Sequence, residues 1–303
     1  MSIGPTTFVS EHDRPRLSAR LVDYIELTKP RIVLLELVTV IVGLYLASRG
    51  YFSTALLTAT VIGTTLVAGS ASILNQWLER ERDSQMRRTE NRPLPSGRVS
   101  VAEAVTLGVV GFIAGSLVLA AFVNLTTAVV GVVCWLIYVA VYTPMKSRST
   151  LNTAIGAASG ALPILMGWTA GGGTFDLIAL GLVGVLYLWQ FPHFMAIAWL
   201  YRRDYAEAGF RMATVDDPTG LRAGALAVSG ALALLPISLI PALAPHSGSP
   251  FVYCLWAMIL GLLQLATAAA FLASRNDRTA RWLLRASLVY LPSWLGLLLM
   301  VNL

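Results

Sequence analysis

Nine long apolar runs constrain this chain more than any other feature of its sequence. They lie at about 32–48, 55–75, 102–123, 125–143, 152–172, 177–200, 221–243, 251–273 and 281–301. A hydrocarbon core about 30 Å thick needs roughly 20 apolar residues in each spanning helix. The runs are continuous, whereas a membrane barrel strand shows about 10 residues of alternating character. Since 56% of the residues are hydrophobic and only 13% are charged, the sequence predicts an all-α membrane protein, a bundle of nine transmembrane helices.

The lysines and arginines alternate between successive connections of these runs. All of them except Arg49 fall before the first run or after runs two, four, six and eight. Because positive residues accumulate in cytoplasmic loops, we expect the N-terminus in the cytoplasm and the C-terminus outside. The formal charge of +6 then follows from topology and does not indicate a nucleic-acid partner.

The chain divides into a short tail and one membrane domain. Residues 1–30 carry too many charges for the apolar core of a signal peptide. We therefore interpret residues 1–30 as a cytoplasmic N-terminal tail and residues 31–303 as a single nine-helix membrane domain.

A dense cluster of charges follows the second run, in the stretch NQWLERERDSQMRRTENRPLP. Within it, Asn75, Glu79 and Asp83 are spaced at i, i+4 and i+8, which places them on one face of a helix. Three oxygen-bearing side chains on one stripe are suited to Mg²⁺, which also takes substrate phosphate oxygens. We call these three residues the acidic ladder. The alternative is a solvated loop whose charged residues make i,i+3 or i,i+4 pairs with one another: Glu79, Arg80, Glu81, Arg82 and Asp83.

Two further polar clusters are expected at the same membrane face as the ladder. Asp204 and Glu207 follow the sixth run, which crosses the membrane in the same direction as the second. The stretch 142–152, YTPMKSRSTLN, follows the fourth run and carries basic and amide side chains. Two acidic sites surrounded by cations could hold two Mg²⁺ ions and a diphosphate group. The sequence therefore suggests a metal-diphosphate site at the mouth of a helical bundle accessible to lipid.

Four stretches resemble one known family. They are LTKPRIVLLELVT, NQWLERERDSQMRRTENRPLPSGR, YTPMKSRSTLNTAIGAASGALPILMGW and WQFPHFMAIAWLYRRDYAEAGFRM. They are similar to the UbiA superfamily of intramembrane prenyltransferases, and the resemblance extends from about Tyr24 to the last run. The motifs RTENRPL, YTPMK and WQFPHF resemble the haem-modifying branch of that superfamily. One departure is that Glu79 stands where many members have aspartate at the middle rung.

The resemblance implies a reaction and its ligands. Mg²⁺ would hold farnesyl diphosphate and help the diphosphate leave, and a vinyl group of haem b would accept the farnesyl group while water supplies a hydroxyl. The implied setting is a bacterial-type cytoplasmic membrane with the site facing the cytoplasm and surrounded by membrane lipid. A partner that hands haem on in cytochrome oxidase assembly is also implied.

The resemblance also assigns expected roles to individual residues. The expected metal ligands are Asn75, Glu79, Asp83, Asp204 and Glu207. The expected catalytic group comprises Asn75, Glu79, Asp83, Asp204, Lys146 and His193. The expected substrate-binding residues are Arg87, Arg88, Arg92, Arg148, Asn152, Arg203 and Tyr142.

His193 is the histidine expected inside a span, where an ionisable group suggests a functional site. It precedes Asp204 by eleven residues, or about three helical turns on the same face. A porphyrin contact, an iron ligand and a hydrogen-bonded interior histidine beside Pro192 all remain open.

Two rival functions are compatible with parts of this pattern. A prenyltransferase of the same fold could act on a quinone precursor or another aromatic acceptor, because acceptor choice depends on cavity shape. A transporter is the other alternative, although transporter sites lie near the bilayer midplane in broken helices, whereas most charges here gather at one face.

Overall fold

The computed structural model describes residues 17–244 and 249–300, in which helices are joined by short connections and no strand is found. Arg14 and Arg16 of the predicted tail lie outside these residues. The helices are α1 (Leu17–Leu27), α2 (Pro30–Ala47), α3 (Thr54–Asp83), α4 (Val101–Phe122), α5 (Leu125–Leu136), α6 (Thr143–Met145), α7 (Asn152–Ala170), α8 (Leu177–Leu200), α9 (Arg202–Glu207), α10 (Ala213–Asp216), α11 (Leu221–Ile237), α12 (Pro250–Ser274) and α13 (Asp277–Met300). A π-helical segment, Ile137–Tyr142, joins α5 to α6, and a 3₁₀ turn, Ile240–Leu243, follows α11.

The described part of the chain contains nine segments long and apolar enough to cross a membrane, so the predicted number of spans is confirmed. The fourth span combines α5, the π-helical segment and α6, and the seventh combines α11 with the 3₁₀ turn. Helix α3 continues to Asp83, past the end of the apolar run near residue 75, so the three ladder positions lie on one helix as predicted. The chain is an integral membrane protein.

Helices α2 and α7 pack against each other along the middle of the bundle. A Cβ atom on Gly167 would lie 1.8 Å from the carbonyl oxygen of Val40, and one on Gly43 would lie 2.3 Å from that of Ile164. Glycine at both positions therefore lets the two backbones touch, as in other membrane bundles that pack through small residues.

The remaining spans lie on the two sides of this pair. Helices α3, α4 and α5 form one side, where α3 packs along α4 and α5 contacts α7. Helices α8, α11, α12 and α13 form the other, and α13 also contacts α2. The aromatic core of that second side includes Tyr253, Tyr290 and Trp294, all almost fully buried. The loops after α3, α6 and α8 are the ones that carry the predicted site.

Helix α4 begins with the capping signal that its sequence contains. The Ser100 side chain accepts a hydrogen bond from the Glu103 backbone amide, and the Glu103 carboxylate accepts one from the Ser100 amide. This capping box fixes the end of the loop between α3 and α4. Arg98 joins the same loop to α1 through ion pairs with Asp23 and Glu26.

Candidate active site

The acidic ladder lies at the end of α3 and faces the interior of the bundle. Helix α3 has 30 residues, so it is about 45 Å long at 1.5 Å per residue. This exceeds a hydrocarbon core of about 30 Å, and the ladder therefore occupies a helix end that can extend beyond it. Asn75, Glu79 and Asp83 are 0%, 5% and 1% exposed, respectively. The i, i+4, i+8 spacing has placed all three on one buried face.

Each rung of the ladder contacts a basic side chain from a different part of the chain. The Asn75 Oδ1 atom accepts a hydrogen bond of 2.7 Å from the Lys29 ammonium. The Lys146 ammonium lies 2.8 Å from Glu79 Oε1. The Arg92 guanidinium donates to Asp83 Oδ2 at 2.6 Å.

These pairings contradict the alternative of a solvated loop with neighbouring ion pairs. The one ion pair within residues 79–83 joins Arg80 to Glu81, which are adjacent rather than three or four positions apart, and the Glu81 side chain is 82% exposed. The two buried carboxylates of the ladder instead find partners outside α3. The charge cluster therefore has an outer face turned to solvent and an inner face that assembles a site.

Lys29 joins the candidate site but was not among the predicted site residues. The available signal was its place in the stretch LTKPRIVLLELVT, immediately before Pro30 at the start of the first spanning helix. Its backbone is left-handed, with φ 52° and ψ 62°, a conformation that costs a non-glycine residue about 1–3 kcal/mol. Burial, followed by the positive charges of Arg92 and Lys146, lowers the pKa of Lys29 to about 7.

Lys146 lies in the loop after α6 and is held by both charge and aromatic contacts. Its ammonium lies 4.7 Å from the ring centroid of Tyr142, the last residue of the π-helical segment, and 5.9 Å from that of Phe210. Burial disfavours the charged form, but the Glu79 carboxylate outweighs it and raises the pKa of Lys146 above its usual value. Lys146 is therefore a cation at the site. Thr143, one turn earlier, accepts a hydrogen bond of 3.0 Å from the Asn75 amide.

The three predicted polar clusters meet at one end of the bundle. The Arg211 backbone amide donates to the Lys146 carbonyl at 2.7 Å, and the Asn152 side chain donates to the Arg211 carbonyl at 2.7 Å. Met86, from the loop after α3, packs with Phe210 in a small buried cluster. The loops after α3, α6 and α9 are therefore in contact with one another.

The other predicted site residues lie around this junction. Asp204 is partly buried and Glu207 is exposed, both on the short helix α9. The Arg88 guanidinium lies 5.4 Å from the Tyr201 ring centroid. The remaining predicted phosphate-binding arginines are exposed: Arg87, Arg148 and Arg203.

The second acidic cluster does not complete a dense carboxylate site. Within residues 17–244 and 249–300, no three histidine, cysteine or acidic side chains are close enough together to hold a metal ion. A metal-binding role for Asp204 and Glu207 remains a prediction. The buried carboxylate oxygen atoms at this junction are those of the ladder, whereas Asp204 is partly buried and Glu207 is exposed.

Comparison with known proteins places this arrangement in a family. The model of the UbiA prenyltransferase family matches residues 37–291. The chain belongs to the UbiA prenyltransferase family.

Proteins similar to this UbiA family member align with it over nearly its whole length. A protein of Rhodopirellula baltica named protoheme IX farnesyltransferase is 46% identical over 275 residues, which cover 89% of this chain and 96% of that protein. One of the same name from Opitutus terrae is 41% identical over 285 residues, covering 94% and 96%. A UbiA homologue from Archaeoglobus fulgidus, solved with DMAPP and Mg²⁺, has a TM-score of 0.69 at 16% identity and covers 92% of this chain and 100% of that one. This last similarity concerns the fold.

The ladder of this UbiA chain offers suitable donors for Mg²⁺. Its donors are two carboxylates and an amide oxygen, and Mg²⁺ prefers oxygen ligands from a few side chains together with phosphate. Glu79 Oε1 lies 2.8 Å from the Lys146 ammonium and is otherwise buried without a hydrogen-bond partner.

His193 of the UbiA chain is a residue of α8, and its side chain contacts Ser287 of α13 and not the ladder. Its ring stacks on Trp189 with the centroids 4.9 Å apart, and its Nδ1 atom lies 2.9 Å from the Ser287 hydroxyl oxygen. Trp189 in turn donates to the Ser287 carbonyl at 2.7 Å. The imidazole is therefore oriented by two neighbours, and its role at the acceptor remains a prediction.

Proposed function

We propose that this UbiA prenyltransferase transfers the farnesyl group of farnesyl diphosphate to a vinyl group of haem b. The observation that carries the proposal is the buried ladder at the loop junction, in which Asn75, Glu79 and Asp83 are each joined by a cation. The names of the relatives from Rhodopirellula baltica and Opitutus terrae support the choice of haem and farnesyl groups.

The reaction balances with water as the third reactant. The bond between farnesyl C1 and the diphosphate oxygen breaks, and C1 bonds to the terminal vinyl carbon of haem b. Water adds its oxygen to the inner vinyl carbon and loses a proton, so the products are a hydroxyfarnesyl haem, diphosphate and H⁺.

The residues of the chain bind and orient the diphosphate end of the substrate. Glu79, Asp83 and Asn75 would hold Mg²⁺, which when bound supplies stabilisation of the negative charge on the leaving diphosphate. Lys146 and Arg92 lie beside the same oxygens and can donate to phosphate. The apolar bundle beyond the ladder keeps bulk water from the farnesyl chain.

Asp204 and Glu207 are proposed to bind a second Mg²⁺ from α9. Arg87, Arg88, Arg148 and Arg203 are proposed phosphate contacts at the rim, where they are exposed. Tyr142 and Asn152 are proposed to shape the substrate side of the loop after α6.

We also propose the location and orientation of the chain. The ladder would face the cytoplasm of a bacterial-type inner membrane, with residues 1–30 as a cytoplasmic tail and residues 31–303 as the prenyltransferase domain. A haem-accepting protein in oxidase assembly would receive the product. The orientation is tested by placing a single cysteine at either end of α3, at Ser84 or at Ser53, in a variant that lacks Cys134 and Cys254. A thiol reagent that does not cross membranes should react from the cytoplasm with Ser84→Cys and not with Ser53→Cys.

The function is tested with membranes that contain the full-length chain. They are incubated with haem b, farnesyl diphosphate and Mg²⁺, and the extracted haem is examined by mass spectrometry. The expected product is haem b plus one farnesyl group and one hydroxyl group, absent when EDTA is added. Prenylation of a quinone precursor with no haem adduct would replace the proposed acceptor and leave the proposed diphosphate site in place.

A further inference from the structure

The three basic side chains of the site come from three separate segments that converge on one helix face. Lys29 precedes α2, Lys146 follows α6 and Arg92 lies in the loop after α3, yet each contacts a different rung of the ladder. Each rung has one basic partner. Thus the groups suited to a metal ion and the groups suited to a phosphate are already bound to each other.

This pairing opposes the binding of either ligand alone. A metal ion that approaches the ladder must compete with Lys146 for Glu79 and with Arg92 for Asp83, whose side chains are only 6% and 1% exposed. A diphosphate that draws the cations away would leave two buried carboxylates without a counter-charge, which is strongly unfavourable. When both ligands arrive, every charge finds a new partner. The carboxylates face the metal ion and the cations face the phosphate.

We propose that the ladder is a partner-exchange site, in which Lys29, Lys146 and Arg92 hold the three rungs until Mg²⁺ and a prenyl diphosphate bind together. The inference rests on the proposed function, because it takes a metal diphosphate as the ligand. It assigns Lys29 as a positioning residue for the Asn75 side chain. The left-handed backbone of Lys29 turns the chain between α1 and α2 at the point where its ammonium reaches Asn75.

A partner-exchange site predicts that one substitution changes the affinity for the metal ion and the affinity for the diphosphate in opposite directions. Removal of Lys146 releases Glu79 and so strengthens binding of a metal ion alone, while it removes a phosphate partner and so weakens binding of the diphosphate. A residue that served only as a phosphate ligand would leave metal binding in the absence of diphosphate unchanged. Lys29 should behave in the same way through Asn75, with a smaller effect because its partner is an uncharged amide.

The experiment uses the full-length protein in lipid nanodiscs with Mn²⁺ as the probe metal. Free Mn²⁺ is followed by electron paramagnetic resonance, first without diphosphate and then with saturating farnesyl diphosphate, and bound radiolabelled farnesyl diphosphate is measured with saturating Mn²⁺. We expect Lys146→Met to tighten binding of Mn²⁺ alone by about fivefold or more and to weaken binding of farnesyl diphosphate by about tenfold. Lys29→Met should shift both affinities in the same directions.

Two control variants isolate the exchange from other effects. Arg80→Gln removes one positive charge from the same helix end, but Arg80 pairs with the exposed Glu81 and not with the ladder. It should leave both affinities within about twofold, since an exposed charge is well screened. Lys146→Arg retains the charge and should keep binding of Mn²⁺ alone weak. Thermal unfolding of each variant shows whether it is folded.

The outcomes separate this inference from the proposed function. If the wild-type protein binds Mn²⁺ and farnesyl diphosphate together, but folded Lys146→Met and Lys29→Met bind Mn²⁺ alone no better than wild type, the exchange is wrong and the diphosphate site stands. If the wild-type protein binds neither ligand in any combination, both proposals fail. Tightening in Arg80→Gln equal to that in Lys146→Met would also overturn the exchange.

Discussion

Arg92 donates a 2.6 Å hydrogen bond to Asp83, so the loop after α3 folds back onto the helix that carries the acidic ladder. The bond ties a residue of the Pro-rich stretch to the last rung of α3. The Thr89 hydroxyl supports the same fold by donating to the Asp83 carbonyl at 2.8 Å. The position of the loop is thus set at both the side chain and the backbone of Asp83.

Asp83→Asn should abolish most of the metal-dependent release of diphosphate. The substitution removes a buried carboxylate from the ladder and leaves the Arg92 guanidinium without its counter-charge. We expect turnover to fall by about 100-fold or more, as for the loss of one group that stabilises developing charge. The measurement is diphosphate release from farnesyl diphosphate and haem b by the purified protein.

Glu81→Gln is the matched control for Asp83→Asn. Glu81 lies on the same turn of α3, but its side chain is 82% exposed. Its rate should stay near that of the wild type. Equal losses in the two variants would show that charge on this helix end matters generally and that the ladder has no special role.

Gly167→Ala should destabilise the bundle. The added Cβ would lie 1.8 Å from the Val40 carbonyl oxygen, and the backbones of α2 and α7 would have to separate. Such overpacking costs about 1–3 kcal/mol, which should appear as a lower melting temperature in detergent. Gly296→Ala on α13, where a Cβ meets no atom within 4 Å, should not lower it. An unchanged melting temperature for Gly167→Ala would contradict the close approach of α2 and α7.

Asn152→Ala should loosen the junction between the loops after α6 and α9. The Asn152 amide donates to the carbonyls of Ser149 and Arg211, each at 2.7 Å. The bond to the Arg211 carbonyl joins the two loops, and the loss of such a hydrogen bond costs about 0.5–1.5 kcal/mol. We expect a lower melting temperature and faster proteolytic cleavage near Arg211.

Ser147→Ala is the control for Asn152→Ala, because the Ser147 hydroxyl donates only to the nearby Pro144 carbonyl. This local bond does not join the two loops. Cleavage near Arg211 should therefore keep its wild-type rate. If both variants are cleaved equally fast, the Asn152 hydrogen bonds do not hold the junction together.

His193→Ala should impair the reaction at the haem acceptor more than at the diphosphate. The imidazole lies between Trp189 and Ser287, whereas the ion pairs and hydrogen bonds of the ladder involve none of these three residues. We expect a loss of about tenfold in kcat/KM for haem b, the size of one good hydrogen bond. Ser287→Ala, which removes the group that orients the imidazole, should give a smaller loss in the same parameter. A change confined to the KM for farnesyl diphosphate would place His193 in the other half of the reaction.

The nine spans and the ladder were predictable because they depend on local features of the chain. A run of about 20 apolar residues is long enough to cross a hydrocarbon core, and residues four apart share a helix face wherever the helix is placed. The capping box at Ser100 and Glu103 is local for the same reason. The family resemblance added the expected chemistry to these positions.

The pairing of the ladder could not be predicted in this way. Lys29 and Asn75 are 46 positions apart, and nothing in the local sequence of either residue indicates the other. Lys146 was expected in the catalytic group, but nothing in its local sequence indicates that it contacts Glu79 directly.

The amino-acid sequence by itself determined that this chain crosses the membrane in nine helices and carries three oxygen-bearing side chains on one face of the second. Only the tertiary structure decided which charge meets which rung, and that Lys29 belongs to the site. The physical reason is range: hydrophobic length and helical periodicity act within a segment, whereas an ion pair requires two segments to be brought within about 3 Å of each other. That approach depends on how closely α2, α3 and α7 pack, and the packing involves the whole bundle.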